Sequence, residues 1–300
     1  MRLALLLALL LAGCGGLRLT APAPGTDETL QRDMQGGSLA YNAERPAEAI
    51  AQYQAALTRA QARDDIGAMG DFSYDLALSE LDANAPDRAL AVARSAREEL
   101  ERRGAAPFPA LLLVEATALY RLGRPAEADA TAQRVQAGAD AQSAARAIFL
   151  RGLMADERGD EAGLASAAGA LPASTVPALQ ADASELAARL DLRRRDWSRA
   201  VADAERAVTA RRDALDYRGL SRALALAGAG AEGGGDSAAA GDFFLRAGRS
   251  AAAQNDNAMA RPWLERASRL GLNQPVGASA DALLQQIDRK AATSAGAASP

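Results

Sequence analysis

The residues that could do chemistry are few and belong to a narrow set of types. The chain has no histidine, a single cysteine (Cys14), and only one lysine (Lys290) among its 34 basic residues. Without histidine, the commonest general base and the commonest transition-metal ligand are missing. Serine–histidine catalysis, zinc hydrolysis and thiol chemistry are therefore excluded or nearly so, and we expect no metal and no other cofactor.

Adjacent carboxylates are the remaining route to acid–base chemistry. They occur as Asp64 with Asp65 and as Glu98 with Glu99. Neighbouring residues on a helix point in different directions, so solvated surface charge is the better interpretation of both pairs. A carboxylate enzyme acting on cell-wall glycan would need two acidic groups at catalytic distance. That enzyme stays an alternative, but the sequence predicts a non-enzyme with no catalytic residue.

A glycine-rich segment, residues 228–236 with the sequence GAGAEGGGD, invites comparison with a phosphate-binding loop. Such a loop follows a strand and ends in Gly-Lys-Ser or Gly-Lys-Thr. Neither feature is present here. We therefore expect a flexible loop between two helices.

Cys14 follows a short apolar segment at the start of the chain. Arg2 precedes an apolar run over residues 3–11, and two small residues lead from the run to Cys14. The run is shorter than the roughly 20 residues that span a bilayer, and its layout is typical of a secretory signal. Residues 11–14, Leu-Ala-Gly-Cys, resemble the lipobox of bacterial lipoproteins.

The lipobox resemblance implies a location. It implies that a signal peptide over residues 1–13 is removed, that lipid is attached to Cys14, and that residues 14–30 form a flexible tether. Gly15 rather than Asp follows the cysteine, which implies the bacterial outer membrane, with the protein facing the periplasm. The alternatives are an ordinary signal peptide and a cytoplasmic protein whose first residues are misread.

The composition predicts an all-α fold. The chain has seven valines and four isoleucines, whereas alanine, leucine and arginine, which favour helices, dominate it. Turn-forming clusters recur about every 35 to 41 residues, a spacing typical of helical repeats. We expect a repeat domain over residues 31–291 and a disordered tail over residues 292–300. The formal charge of −4 offers no basic patch for nucleic acid.

The repeats resemble the tetratricopeptide repeat (TPR). Six second helices share an apolar anchor, and each anchor lies twelve residues after a small residue in the preceding helix. The anchors are Ala49, Ala89, Ala128, Leu164, Ala200 and Ala260, and the small residues are Gly37, Ala77, Ala116, Gly152, Ala188 and Gly248. The resemblance implies a right-handed α-solenoid of about six to seven antiparallel helix pairs. The family's first-helix tryptophan is absent, and the register loosens after residue 210.

The resemblance also implies a concave groove lined by first-helix positions that follow each small residue. We name as candidate partner-binding residues Tyr41, Asn42, Tyr120, Arg121, Asp156, Glu157, Arg189 and Arg193. Tyrosine and arginine are enriched where proteins bind one another. An alternative is that Tyr41 and Tyr120 only pack between repeats. The sequence thus predicts a scaffold for periplasmic or envelope proteins, such as components of envelope assembly, secretion or pilus biogenesis.

Overall fold

The computed structural model describes residues 27–106, 108–136 and 140–297, which form fourteen α-helices and no strand. The all-α prediction is therefore confirmed for these residues. The helices are α1 (Glu28–Asn42), α2 (Pro46–Ala62), α3 (Ile66–Asp82), α4 (Pro86–Arg102), α5 (Pro109–Arg121), α6 (Pro125–Gln136), α7 (Ala141–Glu157), α8 (Glu161–Ala170), α9 (Pro177–Arg194), α10 (Trp197–Asp213), α11 (Tyr217–Gly233), α12 (Ser237–Ala253), α13 (Asn257–Leu270) and α14 (Pro275–Ala297).

Each of these helices starts with one of two local devices. In eight of them an aspartate side chain caps the first turn by accepting a hydrogen bond from a backbone N–H, as Asp236 does from Ala239 at 3.0 Å. The other six begin at a proline, whose fixed φ suits the first helical position. The sequence thus fixes where each helix begins, independently of its packing.

Most of the described turns between helices share one backbone geometry, although α8 passes to α9 through six residues without it. A residue with positive φ ends the helix, such as Asn84 at 60° or Gly235 at 87°. The next N–H then reaches back across the helix end, as Ala85 does to the carbonyl oxygen of Glu80 at 2.9 Å. Because so few residues separate the helices, each helix must fold back antiparallel on the one before it.

The positions where paired helices cross are filled by small side chains, as the repeat pattern predicts. The six second-helix anchors are all 0% exposed, and the six small first-helix residues are all buried. A Cβ on Gly37 would lie 2.6 Å from Tyr53 Cε1, and one on Gly248 would lie 2.5 Å from Leu264 Cγ. Close approach of the helix axes therefore depends on the missing side chain.

Alternate helices also contact one another, which turns the row of pairs into a continuous solenoid. The successive contacts run from α3 through α5, α7 and α9 to α11, and a further contact joins α12 to α14. The change from odd-numbered to even-numbered helices after α11 matches the loosened register expected after residue 210. Helix α8 is the shortest, and α9 packs directly on α7 beside it.

The predicted glycine-rich loop is wrong, because α11 continues through it to Gly233. The helical glycines let neighbouring side chains approach the backbone, rather than making the segment flexible. A Cβ would lie 3.1 Å from Phe244 at Gly228, 2.9 Å from Val201 at Gly230 and 2.5 Å from Trp197 at Gly233. Gly234 and Gly235 form the turn itself, and of these two Gly235 has a positive φ.

The described helices extend past both ends of the segment expected to form the repeat domain. Helix α1 begins at Glu28, inside the segment expected to be a tether, because Asp27 caps it. Helix α14 continues to Ala297, inside the expected tail, and the Thr293 hydroxyl donates to the Lys290 carbonyl oxygen at 2.8 Å there. Cys14 and the proposed signal lie outside the described residues. Among the helices described, none is long and apolar enough to cross a membrane.

Candidate partner-binding groove

The first helices α1, α3, α5, α7 and α9, together with α11, line one surface, which we call the groove. Side chains of neighbouring helices in this set form hydrogen bonds or ion pairs with one another along the groove. The surface also curves back on itself, since Arg218 Nη1 of α11 lies 3.3 Å from Asn84 Oδ1 at the end of α3, 134 residues away in the sequence. The groove is therefore concave, and its two halves touch.

The structure brings together five of the residues predicted for the groove. The Tyr120 hydroxyl donates to Glu157 Oε1 at 2.5 Å, joining α5 to α7. Asp156 accepts hydrogen bonds from Arg189 Nη1 at 2.8 Å and from Arg193 Nε at 2.7 Å, joining α7 to α9. These side chains already hold the repeats together, and their role in partner binding stays a prediction.

The other three predicted residues lie outside these two bonded groups. Tyr41 is half-buried, and its pKa is raised by burial and by the Asp82 carboxylate to which its hydroxyl is hydrogen-bonded. Asn42 is exposed at the last position of α1. Arg121 is exposed within the groove, and its Nη1 donates to the Leu81 carbonyl oxygen at 2.7 Å. Both tyrosines therefore bond to a neighbouring repeat while keeping part of their surface accessible.

Sequence reasoning missed a buried ionic cluster beside the groove. Asp182 and Glu185 on α9 are both 0% exposed, and Arg211 of α10 is 1% exposed. Arg211 Nη2 lies 2.8 Å from Asp182 and 2.7 Å from Glu185. Glu185 also accepts from Arg189 at 3.1 Å and from Arg222 of α11 at 3.2 Å.

The charges in this cluster stabilise one another against the cost of burial. Burial would raise the pKa of the Glu185 carboxyl, but Arg222, Arg211 and Arg189 lower it well below its usual range. Burial dominates at Asp182 and raises the pKa of its carboxyl. The two carboxylates are inaccessible and already paired with guanidiniums, so this cluster is a structural tie between repeats rather than an acid–base pair.

One signal in the sequence could have revealed the cluster. On α9, Asp182 and Glu185 occupy the same buried stripe as Leu179, Leu186 and Ala181. Charged residues at helical spacing among apolar ones indicate a buried polar network. Their partner Arg211 lies on the next helix, and its identity could not be read from one sequence.

The inner face of α3 carries carboxylates of a different kind. Asp71 and Asp75 form no ion pair within the described residues, and burial together with Asp71 raises the pKa of Asp75 to about 6. Burial also raises the pKa of Asp82. The described residues contain no group of histidine, cysteine, aspartate and glutamate side chains that could hold a metal ion.

These features define the class of protein: an α-helical solenoid of TPR-like repeats with a concave, ionically bridged groove. No protein-family model matches the chain, and no curated protein matches it. A Rap protein complexed with Competence and Sporulation Factor is similar in structure, with a TM-score of 0.59 and 14% identity over 87% of this chain and 74% of that one. At this identity the similarity shows the fold alone.

Two further solved structures are similar at lower scores. One is a tetratricopeptide repeat protein from Parabacteroides merdae, with a TM-score of 0.46 and 15% identity over 86% of this chain and 99% of that one. The other is the TPR2AB domain of yeast Sti1 in a pHSP90 complex, with a TM-score of 0.35 and 19% identity over 86% of this chain and 96% of that one.

Proposed function

We propose that this protein is a non-enzymatic scaffold that binds a segment of another protein in its groove. The observation that carries the proposal is the groove itself. It is a concave surface on which half-buried tyrosines are held by hydrogen bonds, and several arginines by ion pairs or hydrogen bonds, between repeats. Side chains fixed in this way lose little conformational entropy when a partner binds. The similar Rap protein is complexed with Competence and Sporulation Factor, so a solenoid of this fold can hold a second molecule.

The proposal extends to where the scaffold works. The resemblance of residues 11–14 to a lipobox supports a lipid anchor on Cys14 at the outer membrane, with the groove facing the periplasm. Multiple acyl chains hold a protein at a membrane far more firmly than one. Partners would then be envelope proteins that take part in envelope assembly, secretion or pilus biogenesis.

Site-specific photo-crosslinking in living cells tests the binding role. A photoreactive side chain replaces Asn42, which is exposed at the groove, or Gln133, which is exposed on the second helix α6. We expect a discrete crosslinked protein from the Asn42 position and none from the matched Gln133 position. Equal products from both positions, or none from either, would contradict partner binding in the groove.

Membrane fractionation tests the anchor separately. The Cys14→Ser variant should leave the membrane fraction, whereas the unaltered chain should stay in it and incorporate labelled palmitate. An unaltered chain found in the cytoplasm would refute the lipoprotein proposal and leave the scaffold proposal standing.

A further inference from the structure

Two arginines from opposite walls of the groove meet at the end of α3. Arg121 of α5 donates from Nη1 to the Leu81 carbonyl oxygen at 2.7 Å. Arg218 of α11 donates from Nη2 to the Asp82 carbonyl oxygen at 3.4 Å and from Nη1 to Asn84 Oδ1 at 3.3 Å. The last carbonyl groups of a helix carry partial negative charge, which explains why guanidiniums gather there.

These two arginines differ from the other guanidiniums of the groove in what they bind. Arg189 and Arg222 each lie on a buried carboxylate, whereas Arg121 forms no ion pair within the described residues. Arg218 has one carboxylate partner, Asp256 at 3.2 Å, and its contacts toward α3 are to neutral oxygens at 3.3 and 3.4 Å. The guanidiniums of Arg121 and Arg218 can therefore still donate hydrogen bonds to an anion in the groove.

The electrostatic surroundings of Arg121 support the same conclusion. Partial burial of the guanidinium, which disfavours its charge, and the nearby charge of Arg218 lower the pKa of Arg121 to about 10. Arg222 contributes in the same direction. Asp82 and Asp216 oppose this effect. Arg218 has a larger effect than Asp82, and Arg222 has a larger effect than Asp216. The repulsion among the arginines is thus only partly balanced.

We infer that an acidic segment of a partner protein binds in the groove between Arg121 and Arg218. A carboxylate side chain there would form an ion pair with guanidiniums whose present contacts toward α3 are to neutral oxygens. Each guanidinium presents a planar fork that matches a carboxylate. The inference rests on the proposed function, since it names the chemistry of the segment that the groove would bind.

Fluorescence anisotropy with the full-length, detergent-solubilised chain tests the inference. The probes are labelled alternating Gly–Glu, Gly–Gln and Gly–Lys peptides of equal length, with unlabelled inorganic phosphate as competitor. We expect the Gly–Glu peptide to bind about tenfold more tightly than the Gly–Gln peptide, which corresponds to about 1.4 kcal/mol. Its affinity should fall as salt is added.

Substitutions locate the binding site. Arg121→Gln and Arg218→Gln should each weaken Gly–Glu binding by about five- to tenfold, whereas Arg121→Lys, which keeps the charge, should weaken it less. The matched control is Arg134→Gln. Arg134 on α6 is 53% exposed, and its one ion pair with another described residue, to Glu101 at 3.7 Å, lies outside the groove. Far-ultraviolet circular dichroism should show unchanged helix content in every variant.

Several results would overturn the inference. Two of them concern the peptides: equal binding of the Gly–Glu and Gly–Gln peptides, or preference for the Gly–Lys peptide. A third is an Arg134→Gln effect as large as that of Arg121→Gln. The fourth is phosphate binding as strong as Gly–Glu binding, which would assign the site to a free anion. Loss of peptide preference with crosslinking at Asn42 retained would refute this inference alone. Loss of that crosslinking with peptide binding retained would refute the proposed scaffold and leave only a preference of the groove for acidic peptides.

Discussion

Replacing Arg211 by methionine should destabilise the middle of the solenoid without disturbing either end. The side chain is 1% exposed and pairs with Asp182, Glu185 and Asp216 at 2.8, 2.7 and 3.0 Å. Removing one partner from a buried ion pair typically costs about 3–5 kcal/mol, because the other charge is left buried and unpaired. Methionine is apolar and of similar length, so little volume is lost.

The cost at Arg211 should lie below that range. Asp182 keeps Arg146 at 3.1 Å, and Glu185 keeps Arg189 and Arg222 at 3.1 and 3.2 Å. Among the described residues the Arg211 Nε has no hydrogen-bond partner, so the substitution also removes one unsatisfied buried donor. We therefore expect a loss of about 2–3 kcal/mol in the free energy of unfolding.

Urea unfolding followed by circular dichroism measures the effect. The unfolding curves are analysed with a separate stability for each repeat, because solenoids need not unfold in one step. The control, Arg134→Met, breaks an exposed ion pair and should cost less than about 0.5 kcal/mol. In an Asp182→Asn background the cost of Arg211→Met should shrink by at least about 1 kcal/mol. Arg211→Met within about 0.5 kcal/mol of the unaltered chain, or an unchanged cost in that background, would refute the assigned role.

Three smaller predictions concern other parts of the fold. Gly152→Ala should lower the free energy of unfolding by about 1–3 kcal/mol, because its Cβ would meet a leucine of α9 at 2.6 Å. Gly169→Ala, where a Cβ would meet no atom of the neighbouring described residues within 4 Å, should raise it by up to about 1 kcal/mol. The urea midpoints of the two variants should therefore move in opposite directions. Burial and, to a smaller extent, Asp71 raise the pKa of Asp75 from 3.8 to about 6. The folded state therefore binds the Asp75 proton more tightly than the unfolded chain does. As a result, this group lowers the free energy of unfolding as pH rises through about 4 to 6. Asp75→Asn should therefore stabilise the chain by about 1 kcal/mol near neutral pH and leave it unchanged below about pH 4, and a pH series of melting curves that shows the reverse would contradict this assignment. Asp236→Ala removes the cap of α12 and should cost about 1 kcal/mol, measured as faster amide hydrogen exchange in the first turn of that helix and not elsewhere.

The helical array could be predicted from the sequence because its signals are local. Prolines and aspartates mark the helix starts, and alanine or glycine at fixed spacing marks the crossings, so neighbouring residues alone carry the information. The glycine-rich segment of α11 misled the same reasoning. Glycine permits both a flexible turn and close helix packing, and only the opposing side chains, such as Trp197 beside Gly233, show which use applies.

The groove could be predicted only in outline. The repeat register placed Asp156, Arg189 and Arg193 on one surface, and the structure shows both arginines bonded to Asp156. The contact of Arg218 with Asn84 depends on the curvature accumulated over several repeats, which no local pattern encodes. The buried position of Arg211 depends in the same way on three helices meeting.

The uniform turns have a consequence for how such a chain can change in length. Helices α10 to α13 begin at equal intervals, at Trp197, Tyr217, Ser237 and Asn257, and each follows an aspartate cap. Excising the single unit 217–236 would leave Asp216 to cap α12, so the turn would survive. Every later helix would nevertheless reverse direction and exchange layers. The parity of the helix count, rather than the number of complete repeats, therefore decides which faces line the groove.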